Sequence, residues 1–290
     1  MPGLSIIIIN YKSWLVLEKC IKSIWSQKTH LIEIIIIDNN SNDSQIVSFK
    51  SKYSKCKWII NKKNIGFAKA CNQGTKIAKY DHYIFLNPDT ELDKNCLIKL
   101  KSKIDIYPNS ILSISQKDSS GNKKFPYGHF LSIKTFNGFS RFIFRFFNCE
   151  NRIKDNKKPW IETDWVSGSF LCISRKNFNS LNGWDEDYWM YYEDMDICKR
   201  ARSFKIHTLF FNDLYCYHYH GKSSRKDFQT KINSKAEVIK SSLIYINKHF
   251  DGLYAKLLCF IIYSSKIIEL IPLSFFLKEK RSLLKKILKF

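Results

Sequence analysis

The chain has 290 residues and a formal charge of +22, with 44% apolar and 15% aromatic residues. That apolar share can offset the entropy of ordering most of the chain, which excludes bulk disorder, and the length suits one large domain or a domain with a small appendage. The charge calls for an anionic partner: nucleic acid, an acidic membrane surface or a phosphorylated substrate. Basic residues interleaved with Phe, Ile and Leu tilt the choice toward a membrane surface.

The nine cysteines are scattered with no C-x-x-C pair, the pattern of reduced thiols in a cytosolic protein. The apolar run Leu4 to Ile9 is too short for an export signal and leads straight into Asn10-Tyr11.

Leu4 to Ile9 is a continuous β-branched run, as expected for a strand buried on both faces of a parallel sheet. Trp14, Leu17, Ile21 and Ile24 then recur at helical spacing behind Ser13, the expected N-cap. A second strand is expected at Ile32 to Ile37, ending on Asp38, and a weaker third at Trp58 to Ile60. A helix over Phe67 to Ala78 and a strand over Tyr83 to Leu86 follow, the latter running into Asn87-Pro88-Asp89. Alternation of this kind predicts an α/β fold with an open parallel sheet, whose ligands bind beyond the carboxyl ends of the strands. Asn10, Asp38 and Asp89 each stand at such an end.

Between about Ser110 and Ile161 the regular pattern fades. The Phe-rich segment Phe136 to Phe147, with Arg141 and Arg145, reads equally as a half-buried helix or as one facing a membrane or acceptor. Order returns at Trp165 to Leu171. No stretch of about 20 uncharged apolar residues occurs, so a bilayer-spanning helix is not expected. The nearest run, Leu253 to Leu277, is interrupted by Lys256, Lys266, Glu269 and Pro272. With Lys278, Lys280, Arg281, Lys285, Lys286 and Lys289 behind it, it reads as an amphipathic extension lying on an anionic membrane surface, against the alternative of a helix packed on the main domain.

Five segments carry chemistry. Asp38-Asn39-Asn40-Ser41-Asn42-Asp43 reads as a turn, or as a clamp whose carboxylate and amide bond a nucleotide base. Asn61 to Ala68 places Gly66 at a helix start among lysines, which suits a diphosphate as well as any plain helix N-terminus. Asp89 at a strand end is well placed to bridge a hard divalent cation and phosphate oxygens. In the acidic-aromatic run Gly183 to Asp196, helical spacing sets Asp194 on the face of Ile197, Cys198 and Ala201, while Asp196 can pair with Arg200. Asp194 is therefore expected to point inward and to act as a general base. His218-Tyr219-His220-Gly221-Lys222-Ser223-Ser224 reads either as structural, hydrogen-bonding histidines or as a further metal and phosphate contact; a structural zinc site there is not expected.

Taken in order, Ser5 to Tyr11, Asp38 to Ser41, Asn64 to Ala68, Asn87 to Thr90, Gly183 to Glu186, Tyr192 to Asp196 and His218-x-x-Gly221-x-Ser223 resemble the family 2 glycosyltransferases, and within them the bacterial rhamnosyltransferase-like branch. The resemblance covers roughly residues 4 to 225. It implies a GT-A, Rossmann-like fold, a nucleoside-diphosphate sugar donor, Mg²⁺ or Mn²⁺, a glycan or glycolipid acceptor, and inversion at the anomeric carbon in one displacement.

By position, it also implies that Ile9, Asn10, Tyr11, Asp38, Asn39, Asn64, Gly66, Phe67, Asn87 and Asp89 meet the donor. Trp184, Asp185 and Glu186 would meet the acceptor, Asp89 and His218 the metal, and Asp194 with Glu193 would serve catalysis. The first metal position, commonly Asp in this fold, is Asn87 here, which leaves one fewer carboxylate. The expected division is a donor half to about residue 110, an acceptor half to about 230 and a basic helical extension from 231 to 290. No nucleic-acid motif accompanies the charge. A nucleic-acid-binding protein and an inactive scaffold on the same fold are the competing readings, and a cytoplasmic site at the inner membrane face is the expected location.

Overall fold

A computed structural model describes residues 2–27, 31–132, 160–219 and 228–290. The Phe-rich segment Phe136 to Phe147 and the run His220 to Ser224 lie outside the described residues. The chain forms two compact units. Among described residues the first holds 2–27, 31–128, 160–189 and 193–219, and the second 129–132, 190–192 and 228–290.

The first unit opens with β1 (Leu4–Asn10), α1 (Trp14–Trp25), β2 (Ile32–Asp38), α2 (Gln45–Lys52), β3 (Lys57–Ile60), α3 (Phe67–Ile77) and β4 (His82–Leu86). All seven residues of β1 are buried, which is why its sequence is an unbroken apolar run. Next come β5 (Thr90–Leu92), α4 (Cys96–Ile106), β6 (Ser110–Lys117), β7 (Lys123–Lys124), β8 (Tyr127–Gly128), β9 (Trp160–Glu162), β10 (Trp165–Val166) and β11 (Phe170–Ser174). The unit closes with α5 (Arg175–Ser180), α6 (Glu193–Ser203) and β12 (His207–His218).

The main sheet runs β3-β2-β1-β4-β11-β6-β12-β5. Pairs β1·β2, β1·β4, β2·β3 and β6·β12 are parallel, whereas β11 runs antiparallel to both β4 and β6. It is the expected mainly parallel α/β architecture, with an antiparallel insertion. One apolar core joins Ile6, Ile8, Leu17, Ile21, Ile36, Leu86, Leu100 and Ile114. Truncating a residue such as Leu17 there costs about 2–5 kcal/mol.

Two expectations need correction, and one helix went unread. Ser13 occupies the N-cap position of α1, but its hydroxyl donates to Tyr11 O, and Asn10 Oδ1 takes up the Ser13 N–H. The pattern does not fade at Ser110, since β6 has seven buried residues of eight. Its serines disguised it: Ser113 Oγ donates to Phe170 O at 2.7 Å and Ser115 Oγ to Leu214 O at 2.7 Å, so hydroxyls sit in the core with their bonds satisfied. α2 has no fully buried residue and so left no apolar stripe to read.

The second unit contains α7 (Phe228–His249), α8 (Gly252–Phe276) and α9 (Lys278–Ile287). Ile232, Ala236, Ile239, Leu270, Leu283 and Ile287 form its core. Lys231 and Lys235 both pair with Glu279, and Tyr263 Oη donates to Ile287 O, so α9 is tied to both of its neighbours. Contrary to the interrupted run expected, α8 is one 25-residue helix that passes through Pro272. By length and composition it is long and apolar enough to cross a bilayer.

Candidate active site

Parallel register sets Asn10 beside Asp38 at the carboxyl rim of the sheet. Asn10 Nδ2 donates to Asp38 Oδ1 at 2.8 Å, and the Asp38 carboxylate also accepts from the Ser41 N–H at 2.9 Å and from Ser41 Oγ. Ser41 Oγ in turn accepts the Lys12 N–H at 2.7 Å, which pins the loop carrying Tyr11. Asn40 and Asn42 hold the intervening turn with φ of 67° and 49°, a conformation that asparagine tolerates.

Asn39, 3% exposed, is spent entirely on the chain. Its amide donates to Asn64 Oδ1 and Gly66 O, and its oxygen accepts from Asn61 Nδ2 and the Ile65 N–H. Asn39 and Asn64 thus lace two loops together. The start of α3 is also committed: the Phe67 N–H donates to Trp189 O at 2.7 Å. Gly66 is required there, because it has φ +87° and a Cβ would lie 2.5 Å from Trp189 O. The expected diphosphate cradle therefore has its first N–H occupied, and the exposed Lys62 and Lys63 supply the positive charge of this loop.

Asp89 and His218 are brought together by the sheet. In the antiparallel β5·β12 ladder Thr90 is opposite His218, and the Tyr219 N–H extends that ladder to Asp89 O. The result is a contact of 3.3 Å between Asp89 Oδ1 and His218 Nε2, with Asp89 1% and His218 4% exposed. Asn87 Nδ2 lies 3.4 Å from the same Nε2. On its other side His218 Nδ1 meets Gln116 Oε1 at 2.7 Å. Gln116 Nε2 continues to Ser169 Oγ at 2.6 Å, and Ser169 Oγ to Ser167 Oγ at 3.0 Å.

The acidic helix α6 reaches the same turn, since the Gly168 N–H donates to Asp194 Oδ2 at 3.2 Å. Burial raises the Asp194 pKa, against the lowering effect of bonds from Gly168 and Met195. Glu193 is pushed well above the usual carboxylate range, first by burial and then by the charges of Asp194 and Asp196. The carboxylate that points fully inward is Asp196, at 0% exposure, whereas Asp194 is half-buried at the turn. Asp196 can be buried because Arg200 Nε sits 2.7 Å away, and the same guanidinium donates to Leu181 O and Gly183 O.

Trp184 was expected at the acceptor, yet it is 1% exposed and packs edge-on against Phe85 (4.9 Å between ring centroids) and Phe67 (5.8 Å). It is a core residue. Asp185 caps its own turn by accepting the Asp187 N–H, and the exposed Glu186 accepts from Asn72 and pairs with Lys69 at 3.4 Å. Ile9 is buried beneath the rim and Tyr11 is half-buried on it. Sequence reasoning missed Gln116, Ser167 and Ser169. The one available signal was a polar residue at the carboxyl end of a strand, and β6 had not been recognised.

The fold and these strand ends define the class. GalNAc-T7 solved with UDP, GalNAc and Mn²⁺ superposes at a TM-score of 0.61, with 17% identity, covering 83% of this chain and 47% of that one. The UDP complex of Staphylococcus aureus TarS residues 1–349 gives 0.54, with 14% identity, covering 95% and 75%. At such identities the likeness is one of fold, a GT-A nucleotide-sugar fold. The model of Glycosyl transferase family 2 matches residues 5–176, and the chain belongs to that family.

Two relatives are named as rhamnosyltransferases. Rhamnosyltransferase WbbL of Escherichia coli K12 is 27% identical over 180 residues, which is 59% of this chain and 66% of the relative. The N-acetylglucosaminyl-diphospho-decaprenol L-rhamnosyltransferase of Mycobacterium tuberculosis is 22% identical over 219 residues, 68% of this chain and 69% of the relative. A hexosyltransferase of Haloferax volcanii, Agl10, is 26% identical over 206 residues, 70% and 62%. The chain thus spans about two thirds of the length of these relatives.

Proposed function

We propose that this chain is an inverting glycosyltransferase that moves a sugar from a nucleoside-diphosphate donor to a hydroxyl of a lipid-linked or cell-surface polysaccharide precursor, of O-antigen or capsule type. The observation that carries this reading is the pairing of two sites through one turn: the Asp89–His218 contact and the Asp194 carboxylate beside Gly168. Asp194 takes the proton of the acceptor hydroxyl as the oxygen attacks the anomeric carbon. Its raised pKa makes it a stronger base than a free aspartate once ionised. Asp38, Asn39, Asn10 and Asn64 hold the loops against which the nucleotide lies, and Gly66 and Phe67 shape the next stretch of the donor site. Asp185 and Glu186 flank the acceptor, and Glu193, whose carboxyl pKa is pushed up by burial, sits beside Asp194.

A divalent cation, Mg²⁺ or Mn²⁺, fits the pair of one carboxylate and one imidazole nitrogen, Asp89 and His218, with the Asn87 NH₂ turned to His218 Nε2, and when bound it would neutralise charge developing on the leaving diphosphate. Among the described residues no group of three or more His, Cys, Asp or Glu side chains is poised to hold an ion. Phosphate oxygens of the donor would complete the coordination, as Mg²⁺ sites commonly require.

The names of the relatives support dTDP-L-rhamnose as first donor, with a UDP-hexose second. Residues 1–230 form the transferase portion and 231–290 the membrane-facing extension, seated on the cytoplasmic leaflet. Leu253, Phe260, Ile268, Phe275 and Phe276 of α8 are each at least 68% exposed, beside the basic α9. Lys266 and Glu269 fall near the middle of α8 as a 2.7 Å ion pair. A charge at the bilayer centre costs about 2.5–3.5 kcal/mol, so the helix lies in the interface.

The deciding experiment measures transfer and Mn²⁺-dependent donor binding across a panel of dTDP- and UDP-sugars. Asp194→Asn is expected to retain donor binding and lose turnover, and Asp89→Ala to weaken donor binding roughly 10–100-fold. Unchanged turnover in Asp194→Asn removes that residue from the role of base.

A further inference from the structure

Gln116 is fully buried near the end of β6, at 0% exposure, and its side chain bonds Ser169 on one side and His218 on the other. Its orientation is set from behind. Ser169 Oγ donates to Ser167 Oγ, which leaves its own lone pairs to accept from Gln116 Nε2. With the amide NH₂ turned to Ser169, the oxygen Oε1 faces His218 Nδ1 at 2.7 Å. An amide oxygen only accepts, so Nδ1 carries the proton and the lone pair of a neutral ring lies on Nε2, which faces the Asn87 NH₂ donor at 3.4 Å and lies 3.3 Å from Asp89 Oδ1. Were the amide reversed, its NH₂ would face Nδ1, the proton would move to Nε2, and His218 would present an N–H where a ligand atom is needed.

We infer that Gln116, oriented by Ser169 and Ser167, is a positioning residue that fixes His218 as its Nδ1–H tautomer and so directs the Nε2 lone pair to the place shared with Asp89. The inference rests on the metal-dependent reading above. Its reach is wider than one ligand, because the Ser167–Gly168–Ser169 turn that orients Gln116 also donates the Gly168 N–H to Asp194. One three-residue turn thereby sets the proton arrangement at the metal side and holds the carboxylate at the acceptor side. A partner that fixes the tautomer of a metal-binding histidine typically accounts for 10–100-fold in affinity.

Two measurements test it on the full chain. First, ¹⁵N-histidine NMR of the metal-free protein, with His218 assigned by difference from His218→Ala, is expected to show a protonated Nδ1 and a non-protonated Nε2. The opposite tautomer overturns the inference whatever the metal does. Second, Mn²⁺ is titrated by EPR in the presence of dTDP, with thermal unfolding of each variant recorded alongside. Gln116→Leu is expected to weaken Mn²⁺ roughly 10–100-fold at an intact fold, while Gln116→Glu, which keeps an acceptor oxygen for Nδ1–H, stays near the parent.

Should Gln116→Leu not fold, Ser169→Ala decides, since it removes the group that orients the amide without touching His218. Parental Mn²⁺ affinity in whichever of these two variants folds overturns the brace. Parental affinity in Asp89→Ala overturns the metal reading and takes the ligand role of His218 with it, whereas the NMR result still reports the tautomer alone.

Discussion

The two ends of the rim are built on opposite terms. Around Asp38 and Asn39 the chain answers its own polar groups: Asn10, Ser41, Asn61, Asn64 and the Ile65 N–H occupy both side chains. Around Asp194 it does not. There, burial raises the carboxylates of Asp194 and Glu193, and only backbone N–H groups offset the effect at Asp194. A satisfied polar network is rigid and sets shape, whereas a carboxylate held above its ordinary pKa is poised to take a proton. In the proposed reaction the first end fixes where a donor lies, and the second is where bonds change.

The comparison breaks most sharply at Asp194. Asp194→Asn keeps the size and the bond from Gly168 but removes the base, and kcat is expected to fall about 10²–10⁴-fold with donor binding retained. In the parent, the acid limb of the rate profile is expected above the ordinary aspartate value of 3.8, because the base must be ionised and its pKa is raised. A limb at the ordinary value breaks the contrast.

At the other end the loss is one of stability. Asp38→Ala strips acceptors from Asn10 Nδ2, the Ser41 N–H and Ser41 Oγ, all buried, and is expected to cost about 1–3 kcal/mol in denaturant unfolding. Gly66→Ala should cost about as much or slightly less, through the strain of positive φ and the approach to Trp189 O. Its measure is the same unfolding midpoint.

The smallest effect concerns Glu193, and it runs in the stabilising direction. A carboxyl whose pKa is raised by folding favours the folded state below its unfolded pKa, and that advantage is lost as pH rises through the folded value. Glu193→Gln is therefore expected to raise the melting temperature by a few degrees at pH 8, with the gain shrinking as pH falls. A gain that does not depend on pH would show that packing, and not charge, limits this site.

Much of this was legible in the residues. Leu4 to Ile9, Ile32 to Ile37 and Tyr83 to Leu86 announced themselves because strands buried on both faces must be apolar throughout. β6 hid because its alternating serines find carbonyls in neighbouring strands, and a sequence does not show where a hydroxyl will find its acceptor. Asp194 was expected to be the inward carboxylate, yet the enclosed one is Asp196, since only tertiary packing brings Arg200, Leu181 and Gly183 into one bonded group. Trp184 moved from acceptor contact to core for the same reason: an aromatic side chain reads alike whether it ends beside Phe85 or beside a sugar.

What the sequence determined by itself is therefore the four strands β1 to β4 with α1 and α3, and the polar residues Asn10, Asp38 and Asp89 at or just beyond their ends, because these follow from local periodicity and chain direction. What the tertiary structure decided is which polar groups meet. The 3.3 Å contact of Asp89 with His218, the amide of Gln116 behind it and the turn shared with Asp194 join residues far apart in the chain. Their proton positions follow from which donor faces which acceptor, and only the completed sheet sets that.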